Sequence, residues 1–277
     1  MNIANIQVEE KLNQVQSAEL KLAKKFHRLC KEMDINYVML GGAMLGAIRH
    51  KGFIPWDDDL DFGLLREDYE KLFDFLNTEK GSLRVASYKN GNTHDYPFKI
   101  IDPSIKLINK NHKVQEEEYA WIDIFPIDGM PNNFLMRQVH KANLLKDRAL
   151  LKLSQLSTGV ALSNPNRNLI EKIIIKLGTA LKIDRLLSED KMMDRLDINL
   201  KKFHTKNSDF LVNFMGAYKF KEMFKREIYL SEKKYCFEDT FFYGIEKYDL
   251  YLNQLYGNYK KLPEIQDRDK HKMELKE

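Results

Sequence analysis

The fold is decided by residues 40–63, which read LGGAMLGAIRHKGFIPWDDDLDFG. The apolar run 37–40 leads into Gly41 and Gly42, a pattern that predicts a buried strand followed by a sharp turn. Residues 43–48 then predict a short helix. The first N–H groups of a helix have no partner inside the helix, so this turn is suited to bind a phosphate.

Cationic side chains follow the predicted helix at Arg49, His50 and Lys51. They are candidates to offset the charge of a phosphate bound at the glycine turn. The stretch therefore predicts a phosphate site in which backbone N–H groups and nearby cations act together.

Four carboxylates lie within the five residues 57–61, and Asp59 and Asp61 are the most informative pair. If residues 60–64 form a strand, both side chains point to the same face, roughly 6–7 Å apart. Two carboxylates that close repel each other unless a cation lies between them, and Mg²⁺ prefers such oxygen ligands. Mn²⁺ is an alternative cation. For Asp57, a second cation site, a role in orienting Arg49, and a plain surface position all remain open.

A second motif spans residues 119–128, which read YAWIDIFPID. Asp123 lies inside an apolar strand pattern, where an unpaired buried carboxylate would cost several kcal/mol. A metal held by Asp59 and Asp61 would supply the missing partner. The sequence therefore predicts that Asp123 lies close to these two residues in the fold.

The stretch LGAIRHKGFIPWDDD at residues 45–59, together with WIDIFP at 121–126, resembles the LicD family of phosphotransferases in the nucleotidyltransferase-fold superfamily. The resemblance implies an α/β (α+β) fold, with a nucleotidyltransferase-like core of mixed β-sheet flanked by helices, plus a helical part. It implies that Asp59, Asp61 and Asp123 are the catalytic, metal-binding carboxylates. A basic residue also recurs in an early strand of the family, which makes Lys99 a candidate anion contact, although a surface role is equally open.

The resemblance implies transfer of phosphocholine from CDP-choline to a hydroxyl of a cell-surface glycan precursor, of teichoic-acid or lipopolysaccharide type, with release of CMP. Trp56 and Trp121 are candidate aromatic contacts to choline, with core packing as the alternative. Transfer of another phosphoalcohol from a CDP donor and nucleotidyl transfer from a nucleoside triphosphate remain open. A non-catalytic binding or scaffold protein on the same fold is the alternative from a different class.

The chain organisation predicts a catalytic core at 1–131, a basic helical segment at 132–205 and a C-terminal part at 206–277 that packs back on the core. From 137 to 185 the chain carries ten Lys or Arg against three Asp or Glu, a local charge of +7 within a net charge of +4. This region could face an anionic membrane or glycan, or simply form a solvated helix surface. Hydrophobic periodicity predicts helices over 8–33, 67–76, 132–156, 166–181 and 187–203, and strands over 83–87, 97–101 and 105–108.

The composition argues against several classes of protein. The 277 residues are 43% hydrophobic, which is enough for a sizeable core, and the mild net charge with no basic aromatic stripe argues against nucleic-acid binding. Two cysteines without metal-ligand spacing do not form a disulfide framework. Without a signal-peptide pattern or a long apolar run, we expect a cytoplasmic protein, with peripheral contact to the inner face of the plasma membrane left open.

Overall fold

A mixed β-sheet with helices beside it forms the core of the fold, which confirms the predicted α/β class. The computed structural model describes residues 3–57, 59–78, 83–93, 95–109, 116–156, 186–230, 232–264 and 273–275. The helix predicted over 166–181 lies outside these described residues.

The helices follow the predicted periodicity closely. They are α1 (Ile3–Glu32), α2 (Gly41–Arg49), α3 (Arg66–Thr78), α4 (Phe134–Ser154), α5 (Glu189–Leu200) and α6 (Tyr248–Tyr256). The main difference is at α2, which begins at Gly41, whereas the sequence predicts a glycine turn before a helix that starts at residue 43. The two glycines therefore form the first turn of the helix itself.

The sheet is built from strands far apart in the chain. They are β1 (Tyr37–Met39), β2 (Asp61–Leu65), β3 (Arg84–Ala86), β4 (Phe98–Asn109), β5 (Glu116–Met130), β6 (Phe210–Val212), β7 (Met223–Lys225), β8 (Lys233–Phe237), β9 (Thr240–Gly244) and β10 (Met273–Leu275). The main order is β10-β4-β5-β2-β1-β9-β8. β2 pairs in parallel with β5 and antiparallel with β1, so the strands that carry the two acidic motifs are neighbours.

The prediction of two separate strands at 97–101 and 105–108 is wrong, because β4 is one strand that runs through Asp102 and Pro103. Its pairing with β5 shifts register between Asp102 and Lys106. Asp102 accepts hydrogen bonds from Ser104 N–H and Oγ at 3.1 and 2.6 Å and from Lys25 at 2.8 Å. These three hydrogen bonds satisfy the Asp102 carboxylate at the register shift. The strand therefore continues through Asp102 and Pro103, where the sequence indicates a turn.

The core lies between α1 and the sheet. Phe26 of α1 packs its ring 4.9 Å from Tyr37 and 4.8 Å from Phe62, and Phe242 of β9 lies 5.6 Å from Phe62. Phe26, Phe62 and Phe242 are fully buried. A core of large aromatic rings joins the first 65 residues to the C-terminal strands, and it fixes the strand ends that carry the acidic residues.

A buried ion pair joins the start of α3 to the end of β5. The guanidinium of Arg66 donates to Asp128 at 2.6 and 2.8 Å, and to Tyr96 at 3.0 Å. From the sequence alone, the position of Asp128 past Pro126 predicts a loop or helix-cap role, and Arg66 is predicted to pair with Asp68 or with a phosphate. Instead Asp128 is a strand residue, and the two buried charges satisfy each other with bidentate geometry.

The chain divides into two compact units, Met1–Asp128 with Leu211–Glu277, and Gly129–Phe210. In the second unit, α4 and α5 pack together through Leu144 and Leu196, both fully buried. Arg195 of α5 reaches the buried Asp147 of α4 at 2.9 Å. None of the helices in the described part of the chain is long and apolar enough to cross a membrane.

Candidate active site

Asp61, Asp123 and Lys99 lie side by side on three adjacent strands. Asp61 of β2 is the register partner of Asp123 in β5, and Asp123 is the partner of Lys99 in β4. Directly opposed residues in neighbouring strands project to the same face of the sheet. Residues 120, 122 and 124 of β5 are buried while 121 and 123 are partly exposed, so Asp123 faces away from the apolar core. The predicted proximity of the two acidic motifs is present in the structure.

Burial and neighbouring carboxylates together favour the protonated form of Asp61. Burial raises the pKa of Asp61 well above its ordinary value, and the charges of Asp59, Asp123, Asp57 and Glu222 raise it further. Asp59 is therefore close enough for its charge to act on Asp61, but it lies before the start of β2, so its predicted place on the same strand face stays a prediction. A site with this excess of negative charge is stabilised by a cation.

Asp123 is held by two neighbours. Trp121 donates its indole N–H to Oδ2 of Asp123 at 3.0 Å. Burial raises the pKa of Asp123 to about 6, the charge of Lys99 opposes this rise, and that of Asp59 adds to it. The ammonium of Lys99 also lies 4.9 Å from the Trp121 ring centroid and 3.1 Å from Asp95. Trp121 and Lys99 thus orient a carboxylate and balance part of its charge.

The first turn of α2 lies directly against the acidic residues. Gly41 has a φ of +45°, a conformation that L side chains rarely adopt. A Cβ at Gly42 would lie 2.6 Å from Oδ2 of Asp57, and one at Gly41 would lie 3.4 Å from Oδ2 of Asp61. The absence of a Cβ at Gly42 allows the Asp57 carboxylate to come this close to the helix start, where the helix dipole favours negative charge.

The three cationic candidates after α2 lie at its other end. An α-helix rises about 1.5 Å per residue, so Arg49 is roughly 10 Å along the axis from Gly42. Arg49 donates to the backbone oxygen of Tyr259 at 3.0 Å and lies 6.0 Å from the Trp56 ring centroid. His50 accepts from Arg49 at 3.5 Å, and burial lowers its pKa.

Lys51 is exposed and lies past the end of α2. It has a φ of +63°, and its backbone oxygen accepts the N–H of Glu238 at 2.7 Å. The carboxylate of Glu238 in turn accepts the N–H of Phe53 at 3.0 Å. Lys51 and Glu238 therefore belong to a turn that fixes the end of α2.

A cavity of about 630 Å³ opens beside the start of α2. Gly42 and Asp57 line it, together with residues 256, 258–259 and 261–264 of the C-terminal part. Its aromatic and cationic lining residues are Trp56, Tyr218, Tyr256, Tyr259, Arg49 and Lys261. This combination of aromatic faces, cations and a carboxylate edge suits a nucleotide-linked ligand.

A second buried layer, which the sequence does not predict, lies behind the site. The hydroxyl of Tyr251 accepts the N–H of Gly41 at 3.0 Å, and it lies 3.4 Å from Oε2 of Glu222. Glu222 is 3% exposed and accepts from the side-chain amide of Asn213 at 3.0 Å. Burial raises its pKa to about 7. No local pattern distinguishes Glu222 in the lysine-rich stretch 219–225.

The donor chemistry of Asp59, Asp61 and Asp123 fits a hard divalent cation, because all three supply carboxylate oxygens and their mutual repulsion needs a counter-charge. In the described ranges, no three Asp, Glu, His or Cys side chains already converge at metal-ligand distances. The assignment of these three residues to a metal therefore stays a prediction.

A mixed sheet with acidic residues on adjacent strands, beside a helix that starts with two glycines, defines a nucleotidyltransferase-like domain. The family described as LicD/FKTN/FKRP, nucleotidyltransferase domain, matches residues 34–149. The chain is also 30% identical, over 94% of its length and 95% of the relative's, to the lipopolysaccharide cholinephosphotransferase LicD of Haemophilus influenzae. The chain belongs to the LicD family, which confirms the resemblance.

Shorter similarities extend to other organisms. The human and mouse ribitol 5-phosphate transferase FKRP are each 41% identical over 49 residues, which is 18% of this chain and 10% of theirs. Relatives in the family thus include transferases of two different phosphoalcohols. This supports transferase activity for the chain but does not select the alcohol.

Proposed function

We propose that this chain transfers a phosphoalcohol, with phosphocholine as the first candidate, from a CDP-linked donor to a hydroxyl of a glycan. The observation that carries the proposal is the alignment of Asp61, Asp123 and Lys99 across three strands beside the start of α2. It is supported by the 30% identity to a lipopolysaccharide cholinephosphotransferase over almost the whole chain. A teichoic-acid or lipopolysaccharide precursor is the proposed acceptor class.

Asp59, Asp61 and Asp123 are the residues that would hold Mg²⁺ or Mn²⁺. When bound, the cation would supply Lewis-acid stabilisation of negative charge on the phosphate oxygens. The chain itself contributes placement: the backbone pairing of β2 and β5 fixes two of the carboxylates relative to each other before any ligand binds. Preorganised charge of this kind is the main contribution that a protein makes to phosphoryl transfer.

The proposed reaction is a displacement at the phosphorus that bears the alcohol. The acceptor oxygen forms a new bond to this phosphorus, and the bond from the phosphorus to the bridging oxygen breaks. CMP leaves with that oxygen and its electron pair, while the acceptor hydroxyl gives its proton to the Asp123 carboxylate. The indole of Trp121 holds Oδ2 of Asp123 at 3.0 Å, so we assign the proton to Oδ1.

The cavity beside Gly42 supports the donor assignment. Backbone N–H groups at the start of α2 favour a phosphate. Tyr218 and Tyr256 pack edge to face, with ring centroids 5.3 Å apart, at the end of the cavity where Asp57 also lies. A trimethylammonium group has no N–H to donate and is bound by aromatic faces and nearby negative charge. We propose that choline lies against these two tyrosines, which adds to the earlier candidates Trp56 and Trp121.

Ribitol 5-phosphate is the second candidate, because the FKRP relatives carry that activity in their names. A polyol would need hydrogen-bonding partners rather than aromatic faces. The cavity lining also contains such partners, at Asp57, Asn258 and Glu264, so it can accept ribitol, while its tyrosine faces keep choline as the first candidate.

Product mass tests the proposal directly. The protein is incubated with Mg²⁺, a glycan precursor, and CDP-choline, CDP-ribitol or CTP in parallel. The proposal predicts a glycan whose mass increases by one phosphocholine, with release of CMP, and no such gain in Asp61→Asn. An increase by a nucleotide would replace it with nucleotidyl transfer. No transfer and no donor binding in any arm would favour a scaffold protein.

Asp74→Asn is the matched control in the same assay. It makes the same chemical change at an exposed position on α3, away from the carboxylate face. We expect it to retain the activity of the unmodified chain, so a loss in both variants would indicate a general charge or folding effect and would contradict the assignment of Asp61.

A further inference from the structure

Helix α4 exposes a group of large apolar side chains at its first two turns. Phe134 is 62% exposed, Leu135 72%, Met136 56% and Val139 63%. These four residues are named the α4 patch. Soluble proteins rarely leave a contiguous group of this size exposed unless it is a contact surface.

In the described part of the second unit, packing uses a different face of α4 from the one that carries Leu135 and Val139. The buried face of α4 carries His140, Leu144, Asp147 and Leu151, which recur at helical spacing. Leu135 and Val139 are one helical turn apart, and at 3.6 residues per turn they are rotated from the centre of this buried row by roughly 140° and 100°. α4 therefore has two apolar faces, of which the patch face is open to solvent.

The charges that α4 presents at its surface all have one sign. The helix contains Lys and Arg at positions 137, 141, 146, 148 and 152, and its single acidic residue is Asp147. Asp147 is buried and paired with Arg195 and Asn199, so it adds no negative charge to the surface. Lys146 and Lys152 are exposed. A helix with exposed apolar residues and only basic surface charges matches the chemistry of an anionic lipid surface.

We infer that α4 docks the protein on an anionic membrane, with the α4 patch inserted at the level of the lipid headgroups. Charge complementarity favours this occupant over a second copy of the chain. Two copies packed patch to patch would bring their basic residues together, and like charges in an interface disfavour association. The inference does not depend on the proposed activity, because it uses only residues of the second unit.

Flotation with vesicles tests the inference. The full chain is mixed with vesicles of phosphatidylglycerol and phosphatidylcholine in equal parts, or of phosphatidylcholine alone. We expect binding to the anionic vesicles that weakens with added salt, because the charge contribution is screened. The double variant Leu135→Asp with Val139→Asp should reduce the partition coefficient by at least about tenfold, since charged side chains replace the inserted apolar ones.

Ile198→Asp is the matched control, because Ile198 is 70% exposed on α5 in the same unit and has no place in the α4 patch. It should bind vesicles like the unmodified chain. Circular dichroism checks that each variant is folded. Equal loss in Ile198→Asp and the double variant, or no binding of the unmodified chain at low salt, would overturn the inference. So would concentration-dependent dimerisation that only the double variant abolishes, which would assign the patch to a second copy.

Discussion

Replacing Glu222 by glutamine should change how the stability of the first unit depends on pH. Burial raises the pKa of Glu222 from an ordinary value of 4.5 to about 7 in the folded protein. Between these two values the folded state keeps its proton and the unfolded state has lost it, so stability falls as pH rises. The difference of about 2.5 pH units corresponds to a loss of roughly 3 kcal/mol between about pH 4.5 and 7.5.

Glutamine cannot ionise, so the Glu222→Gln variant should lack this loss. In the unmodified chain the Glu222 carboxylate accepts the backbone N–H of Tyr218. Placing the glutamine amide against this N–H adds a cost to folding that does not vary with pH. The expected result is therefore a shallower fall in the free energy of unfolding from pH 5 to pH 8 than in the unmodified chain. The difference in slope, not the absolute stability, is the quantity to compare.

Urea unfolding followed by tryptophan fluorescence measures this free energy. Both tryptophans of the chain, Trp56 and Trp121, lie in the first unit, so the signal reports on the unit that contains Glu222. Glu227→Gln is the control, because Glu227 is exposed and pairs with Lys247 at the surface. Equal slopes for Glu222→Gln and the unmodified chain would refute the claim that this carboxylate is held protonated by burial.

Three further substitutions test separate parts of the site. Gly42→Ala places a Cβ 2.6 Å from Oδ2 of Asp57, whose side chain can rotate away. The free energy of unfolding should therefore change by less than about 1 kcal/mol. Calorimetry should show weaker binding of the donor. Trp121→Phe removes the N–H that Asp123 accepts, so the pKa of Asp123 should rise and the acidic limb of the rate profile should move up by about one pH unit. An unchanged limb would argue against Asp123 as the proton acceptor. Glu238→Ala removes the carboxylate that accepts a backbone N–H after α2 and should destabilise the first unit by about 1–3 kcal/mol in urea unfolding.

The residues that could be predicted from the sequence are those whose role is visible in a local pattern. Asp123 interrupts an apolar alternation, and the spacing of Asp59 and Asp61 defines a strand face. Both patterns follow from the two-residue period of a strand, and the structure places Asp61 and Asp123 opposite each other. The apolar periodicity of α1 and α3 is equally local, which is why both helices were predictable within a few residues.

The remaining features depend on contacts between distant parts of the chain. Glu222 is important because it accepts a hydrogen bond from the Tyr251 hydroxyl, which in turn accepts the N–H of Gly41. Tyr251 and Gly41 are 210 residues apart in the sequence. Arg66 has Asp68 close by in sequence but pairs with Asp128, 62 residues away, because the parallel pairing of β2 and β5 brings the strand ends together. Local sequence patterns carry no information about such partners.

The end of α2 shows a third kind of limit. Arg49, His50 and Lys51 follow the glycines closely in sequence, which suggests a shared phosphate site. A helix of nine residues separates the two ends in space, so proximity in sequence does not become proximity in the fold. Only Arg49 reaches the cavity, where it also holds the backbone of Tyr259.

Calorimetric titration of CDP-choline, with and without Mg²⁺, tests the central claim most directly. The proposal predicts binding that requires Mg²⁺, is lost in Asp61→Asn and is kept in Asp74→Asn. CDP-ribitol should bind more weakly, since the cavity presents aromatic faces. Binding of CDP-choline that is equally strong without Mg²⁺ and in Asp61→Asn would contradict a metal-assisted transfer centred on Asp59, Asp61 and Asp123.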